Sequence, residues 1–522
     1  MSRFILHVLL CCFFLSNITV QAQKNYQLRS NFQYKGTLAN LWGYYDSINQ
    51  KEYALVGVEY GLSIVDVTNP DNPKEVFFIS SDTSLWQEPK TWKQYVYMTN
   101  ENGHKGLLIA DLSNLPSSVN VVYWKDENIY KAGRSHTCFV DENGFLYLNG
   151  SQVKGGTMIF DLKPNPMNPT YLGVYNDYYV HDCFVRNDTL WTAEIMNGNV
   201  TVVNVQNKTT PNVMARFQTP FYFTHNCWLS KDGKFLYTTD EKPYATVAVY
   251  DVSDLSNITL LDEYRHSHYD SLIPHNTYIM PDSFIHTSYY RAGVTIVDAH
   301  KNDNLVEVAH YDTSPFADGS GFEGCWGVYP FLPSGNILAS DRQEGLFVLT
   351  PVYKRACYLE GKIKTQQGTN LAGIEVGFVG EKIVKRSNYL ADYKTGTANA
   401  GTYDVRFYDP MGRCQTKIVK DVQMQNGVIT ELNVLLNCNV SAINNLETTQ
   451  IYFSPTVFEN QTKLFAEKEG SYEVFSMEGK LIESANFQPG NTTIGNHWAK
   501  GIYMVKIESA YTQQVVRLVK TY

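Results

Sequence analysis

Four histidines recur in matching settings: "SHTCFV" holds His136, "VHDCFV" His181, "THNCWL" His225 and "PHNTYI" His275, each with an aromatic residue three positions on. Imidazole suits Zn, Cu, Ni and Fe, carboxylates complete such shells, and a bound divalent ion can activate water for hydrolysis. The acids that could join them are Glu101, Glu194, Asp240, Glu241 and Asp341, with Arg342 beside the last, all at the ends of strand-like runs. The sharpest metal set among these is His181, His225, His275 and Glu241.

Whether those side chains meet depends on the elements that carry them. Aligning the histidine motifs with "LWGYYD", "LWQEPK" and "CWGVYP" places Trp42, Trp86, His136, His181, His225, His275 and Trp326 in one column, repeating every 44 to 51 residues. A second column, 23 to 26 residues later, holds Asp66, Asp111, Asp161, Asn204, Asp251, Asp298 and Thr350. Each closes an apolar run and opens a turn, where a short side-chain oxygen accepts a backbone N–H two residues on. A further short strand lies between the columns, so each unit reads as four strands.

Seven such units of about 47 residues predict an all-β chain led by a seven-bladed β-propeller. In a propeller the innermost strand begins, and the second ends, at one face, so the histidine column and the acids should converge on one mouth of the channel. The seventh unit ends at "GLFVLTPVY" with three strands. The N-terminal "NFQYKGTL" is expected to supply its fourth and close the ring, removing an exposed edge.

The stretch "WGYYDSINQKEYALVG", the "GLSIVDVTNPDNP" turn, "HNCWL" with Asp240 and Glu241, and "CWGVYPFLPSGNILASDRQEGLFVL" together resemble the choice-of-anchor B proteins, close to the LVIVD-repeat propellers. The resemblance covers residues 26 to 352. It implies a secreted or surface-anchored propeller fused to varied anchoring modules, and it supplies no reaction.

Two small β-sandwich domains are expected after the propeller. The run "YLEGKIKTQQGTNLAGIEVGFVG", with the glycine before Tyr403 and the closing "ELNVLL", resembles the carboxypeptidase regulatory-like, transthyretin-type sandwich. The last segment, with "IYFSP", "YEVFSMEGKLI", "KGIYMVKI" and a basic "RLVKTY" end, resembles the type IX secretion C-terminal sorting domain. That resemblance implies the type IX export machinery as a partner.

The N-terminal "MSRFILHVLLCCFFLSNITVQAQ" has an early Arg3, an apolar run and small residues before Gln23, the pattern of a cleaved secretory signal peptide. The expected organisation is therefore 1–22 signal peptide, 23–355 propeller, 356–438 first sandwich, 439–450 linker and 451–522 sorting domain, with no transmembrane segment in the mature chain. Export to the periplasm and then to the outer surface or medium follows. A net charge of -9 offers no basic patch for phosphates, which argues against nucleic acid. Seven cysteines outside the signal peptide, without a CxxC pair, do not make a disulfide scaffold or a zinc ribbon.

Two readings of the histidine column stand. In the structural reading the rings bond neighbouring blades, and Trp42, Trp86 and Trp326 serve the same ring; tryptophan shares with histidine a flat ring and an N–H but cannot ligate metal. In the other reading a divalent metal sits at the mouth. Neither a GxSxG elbow, an HExxH helix nor a P-loop is present. The "SHYDS" loop with His266 is expected to be a solvated connection. Function divides likewise: a non-enzymatic module binding a surface protein or glycan is favoured, and a metal-assisted hydrolase or lyase at the mouth is the alternative.

Overall fold

The computed structural model describes residues 23–151, 155–438, 451–466, 468–476, 480–509 and 513–521. The expected signal peptide, 1–22, and linker, 439–450, lie outside the described residues. All regular structure among the described residues is β-strand.

The first repeat folds as an antiparallel sheet of Leu38–Asp46, Lys51–Val58, Gly61–Asp66 and Lys74–Ser80. Its middle strands read "YALVGV" and "LSIVD" because both of their faces are covered. Leu55, Val56, Leu62 and Ile64 are completely buried, as expected where sheets pack face to face. The fourth strand is partly exposed at the rim.

Five sheets repeat that order, with first strands Gln87–Trp92, Cys138–Val140, Asp182–Arg186, Thr224–Leu229 and Thr277–Ile279. The seventh combines Cys325–Tyr329, Ile337–Asp341 and Gly345–Pro351 with an outer strand from the N-terminus. First strands touch from sheet to sheet through the first six, the sixth meets the seventh through Phe284–Ser288 against Cys325–Tyr329, and Cys325–Tyr329 returns to Leu38–Asp46, so the circuit closes.

The closing strand is Tyr26–Phe32, earlier than the expected "NFQYKGTL". Leu28 faces Leu349 and Phe32 faces Leu346. The residues after Phe32 are used to cross from the rim to the centre, where Leu38 starts the first inner strand. Gln23–Lys24 adds a fifth strand to the sixth sheet.

The turn chemistry of the second column is present in six of its members. Asp66, Asp111, Asp161, Asn204, Asp251 and Asp298 each accept the backbone N–H two residues on, at 2.9 to 3.0 Å. Thr350 departs, its hydroxyl donating to Asn336.

Beyond the ring, Cys357–Thr365 pairs with Asp392–Thr397, Ile429–Glu431 and Val434–Leu436, and a second sheet holds Lys385–Arg386, Glu375–Phe378, Gly401–Tyr408 and Lys417–Met424. These sheets and the ring form one compact unit, Met1–Asn437. Asp298 anchors the junction: it pairs with Arg355 Nη1 at 2.7 Å and accepts from Ala356 N and Tyr358 Oη, both at 2.8 Å.

The second unit, Cys438–Tyr522, has a three-stranded sheet of Ile451–Ser454, Thr462–Ala466 and Gly490–Ile494 and a five-stranded sheet around Gly501–Ser509. Leu464, Val474, Trp498, Val505 and Leu518 lie in its core. Lys520 is buried there, with Nζ donating to the Gly495 carbonyl at 2.7 Å.

Candidate functional site

The four repeated histidines stand together at one end of the channel as a staircase of rings. Centroids are 4.0 Å apart for His136 and His181, 4.3 Å for His181 and His225, and 4.2 Å for His225 and His275. Trp326 continues the series, 4.9 Å from His275, and Trp86 joins the same lining. Between them is a polar cavity of about 40 Å³ that also touches Glu88, Asp182 and Glu241.

Burial drives the pKa of His181, His225 and His275 well below the ordinary histidine value, and neighbouring histidines push the same way. These three are neutral at physiological pH, with one nitrogen of each able to donate an electron pair. His136 differs. Burial opposes its charge, but Glu101, 3.0 Å from Nδ1, outweighs that and raises its pKa, while the same pairing lowers the Glu101 pKa against its own burial.

His275 Nδ1 donates to the Trp326 carbonyl at 2.5 Å. The equivalent direction recurs toward the His225 backbone for His181 and toward the His275 backbone for His225. Neither of those Nδ1 atoms makes a well-formed hydrogen bond, and both are buried.

Glu241 reaches into the ring. One of its oxygens lies 3.9 Å from His225 Nε2 and the other 3.9 Å from His275 Nε2, so the three groups form a cluster within 4.8 Å. Tyr290 Oη donates to Glu241 Oε1 at 2.5 Å. Burial raises the Glu241 pKa to about 7, although the Tyr290 bond pulls it down. His181 stacks beside this cluster without belonging to it.

Of the other acids expected at the mouth, Glu101 meets His136, whereas Glu194, Asp240 and Asp341 turn away, because successive strand residues face opposite sides. Glu194 Oε1 accepts from Thr201 Oγ1 of its own sheet and from Tyr175 Oη of the preceding one, both at 2.7 Å. Asp240 accepts from Thr219 Oγ1 and from the Phe221 and Phe223 amides. Asp341 accepts from Thr313 Oγ1 and caps the turn at Gln343 and Glu344. Arg342 stacks its guanidinium over Trp326 at 4.9 Å and donates to the Phe322 carbonyl.

Trp42 is not in the histidine ring. Its indole lies 4.8 Å from Tyr329, 5.9 Å from Tyr278 and 6.5 Å from Trp228, in an aromatic layer with Phe184 and Phe331 deeper in the channel. The pairing sets Trp42 opposite Leu55 as Trp228 is opposite Tyr237, so Trp42 aligns three residues later than expected, with the aromatics that follow each histidine. Gly43 permits this packing: a Cβ there would lie 2.0 Å from Tyr329 Cε1. The channel is filled below the histidines.

Between the two layers is a polar one that the sequence reading missed. Asn40 donates to Glu88, Lys90 Nζ lies 4.0 Å from Glu88 and 4.4 Å above the Trp42 ring, and Asn226 donates to Asp182 at 2.6 Å. Burial raises the pKa of Glu88 and Asp182, with Lys90 pulling both back. The available signal was "QEPK", two opposite charges at alternate positions of an inner strand.

The "SHYDS" connection is packed in part: Tyr269 is exposed, as expected of a solvated connection, but its neighbours are held. Ser267 is fully buried and donates to Asp270 at 2.8 Å, and His266 Nδ1 lies 2.6 Å from Glu307. Cys138, Cys183 and Cys227 are buried free thiols whose pKa burial raises, so they behave as small apolar groups. Cys414 and Cys438 are disulfide-bonded.

Two stretches of the chain match known families. Residues 450–521 match the secretion system C-terminal sorting domain, and residues 50–80, the last three strands of the first sheet, match the LVIVD repeat. The sorting domain is the address read by type IX export, so the chain is delivered to the cell surface or secreted. No helix among the described residues is long and apolar enough to cross a membrane. No curated protein matches the sequence. Among solved structures, a 6-phosphogluconolactonase candidate from Bacteroides uniformis aligns over 51% of this chain and 83% of its own at 12% identity, with a TM-score of 0.41. Another, from Bacteroides fragilis, aligns over 73% and 100% at 12% identity, with a TM-score of 0.45.

Proposed function

We propose that the chain is an exported binding protein: a seven-bladed β-propeller of the choice-of-anchor B type whose histidine-lined face recognises a surface glycan. A carboxypeptidase regulatory-like sandwich over 356–438 carries it, and the sorting sandwich over 451–522 delivers it.

The observation that carries this reading is the distribution of exposed rings. Tyr60, Tyr178, Tyr222, Tyr244, Phe316 and Phe322 are exposed in connections at the histidine end of the sheets. At the opposite end the described connections themselves have no exposed aromatic ring, and Tyr45, next to the last residue of the first inner strand, is exposed beside one of them. Tyr222 and Tyr244 also hold left-handed backbone, with φ of 54° and 65°, a conformation costing on the order of 1 to 3 kcal/mol that is retained where surroundings enforce it. Gly198 makes room for one of them, since a Cβ there would lie 2.4 Å from Tyr222 Cα. Arg216 and Arg291 stack over Tyr178 and Phe316.

Six rings spread over five connections, with polar groups between them, suit the flat faces of sugars better than they suit a protein partner, which takes a contiguous apolar patch. The alternative of a hydrolase or lyase at the mouth requires space for an organic substrate. The polar cavity offers about 40 Å³, whereas small-molecule sites span roughly 300 to 1,000 Å³.

The test is a glycan array probed with the full mature chain, followed by Tyr222→Ala and Tyr244→Ala. Each loss should weaken binding of the best glycan about 10-fold, in line with aromatic hot spots. Absence of any glycan signal, or unchanged binding by both variants, rejects the reading.

A further inference from the structure

We propose that His225, His275 and Glu241 hold one divalent transition-metal ion at the mouth of the channel, and that the ion ties the fifth sheet to the sixth. His225 and Glu241 come from the fifth sheet, and His275 immediately precedes the first strand of the sixth.

The first argument is the hydrogen-bond polarity of the cluster. A carbonyl only accepts, so the His275 Nδ1 bonded to Trp326 O carries the proton. Its Nε2 is therefore a lone pair, and it faces a Glu241 oxygen 3.9 Å away. Two acceptors directed at one another across that gap leave a place for a cation between them. Among the described residues no lysine or arginine forms a salt bridge with Glu241. Arg342, the nearest guanidinium to act on it, is directed to Phe322 O and the Trp326 ring.

The second argument is geometry and support. With bonds of about 2.1 Å, ligand atoms on a tetrahedral ion are about 3.4 Å apart; the two histidine–carboxylate separations are 3.9 Å, each to a different Glu241 oxygen, and one ligand atom from each of the three residues lies within 4.8 Å of the others. Outer contacts of the kind that orient metal ligands are already made: Trp326 O fixes the His275 tautomer, and Tyr290 Oη holds Glu241 Oε1 at 2.5 Å. Tyr290 keeps this position with a left-handed φ of 42°.

The third argument is the chemical class. Two imidazoles and one carboxylate are borderline donors, suited to Zn, Fe(II), Co or Ni, whereas Ca and Mg require oxygen shells. The cavity of about 40 Å³ has room for a water molecule to complete the coordination.

The experiment takes the full mature chain without a polyhistidine tag, strips it with chelator and titrates it with Co(II), following the visible absorption of the bound ion. The expected result is one Co(II) per chain with bands of a four- or five-coordinate site, and a higher unfolding temperature for the loaded protein. Glu241→Gln should abolish the bands while its metal-free unfolding temperature matches that of the metal-free parent. Tyr290→Phe should bind about 10- to 100-fold more weakly, as outer-contact losses do. Failure of the parent to bind one equivalent overturns the proposal. So does equal binding by Glu241→Gln and by His275→Gln, which would locate the ion elsewhere.

Discussion

Replacing Lys90 by methionine removes the cation buried beneath the histidines while keeping most of its apolar stem. Lys90 is 7% exposed, its Nζ lies 4.0 Å from a Glu88 that is 5% exposed, and it sits 4.4 Å above the Trp42 ring. At an effective dielectric of about 20, opposite charges 4 Å apart attract by about 4 kcal/mol. The cation–π contact adds roughly 1 kcal/mol. The cost of desolvating the ammonium offsets part of this, and breaking one side of a buried pair has a typical net cost of about 3 to 5 kcal/mol. We therefore expect Lys90→Met to lower the stability of the ring by about 3 kcal/mol, because Glu88 and Asp182 lose the cation that draws their pKa values down. The assay is urea unfolding at neutral pH followed by tryptophan fluorescence, comparing the midpoint of the ring transition at unchanged slope. Adding Glu88→Gln to the variant should restore much of the loss, since the stranded carboxylate is its main source. A single-variant loss under about 1 kcal/mol, or no recovery in the double variant, refutes the reasoning.

Gly43→Ala should destabilise the ring by about 1 to 3 kcal/mol in the same assay, because the new methyl meets a Tyr329 ring held between Trp42 and Phe331; most of the penalty should vanish in a Tyr329→Ala background. His266 gives a pH prediction: burial opposes its charge, but Glu307 wins and raises its pKa, with Lys24 opposing, Asp318 assisting, and His310 neutral beside it with its pKa lowered to about 4. A raised histidine pKa stabilises fully below the unfolded value of about 6.5 and loses that contribution as pH rises through the folded value. The difference in unfolding temperature between the parent and His266→Gln should therefore shrink from pH 6 to pH 9, and a difference that grows with pH contradicts the assignment. Deleting residues 451–522 should leave the chain in the periplasm, read by surface labelling of intact cells, since that segment is the export address; a truncated chain still displayed outside would contradict it.

The repeat was legible because its causes are local. A short acceptor closing the third strand of a unit caps its own turn two residues on, so Asp66, Asp111 and their equivalents could be placed without knowing any neighbour. The histidine column followed from the same period, and its side chains do stand together. Trp42 was misplaced by three residues because the tryptophan of "LWGYYD" matches the ring position by residue type alone, whereas the pairing sets Trp42 opposite Leu55 as Trp228 is opposite Tyr237. Register decides which side chain faces the ring, and it shows only in the pairing between strands.

The acids divide along the same line. The end of a second strand could be located from sequence, but whether its carboxylate enters the channel depends on which of two adjacent residues faces inward. Asp240 caps a loop while Glu241, next in the chain, reaches His225 and His275. The layer of Asn40, Glu88, Lys90 and Asp182 joins side chains from three different sheets, whose meeting is set by ring closure and not by any motif. Periodicity and turn chemistry, which act over a few residues, were determined by the sequence alone; the partner of each buried charge was decided by tertiary structure, because electrostatic and packing contacts act through space between residues far apart in the chain.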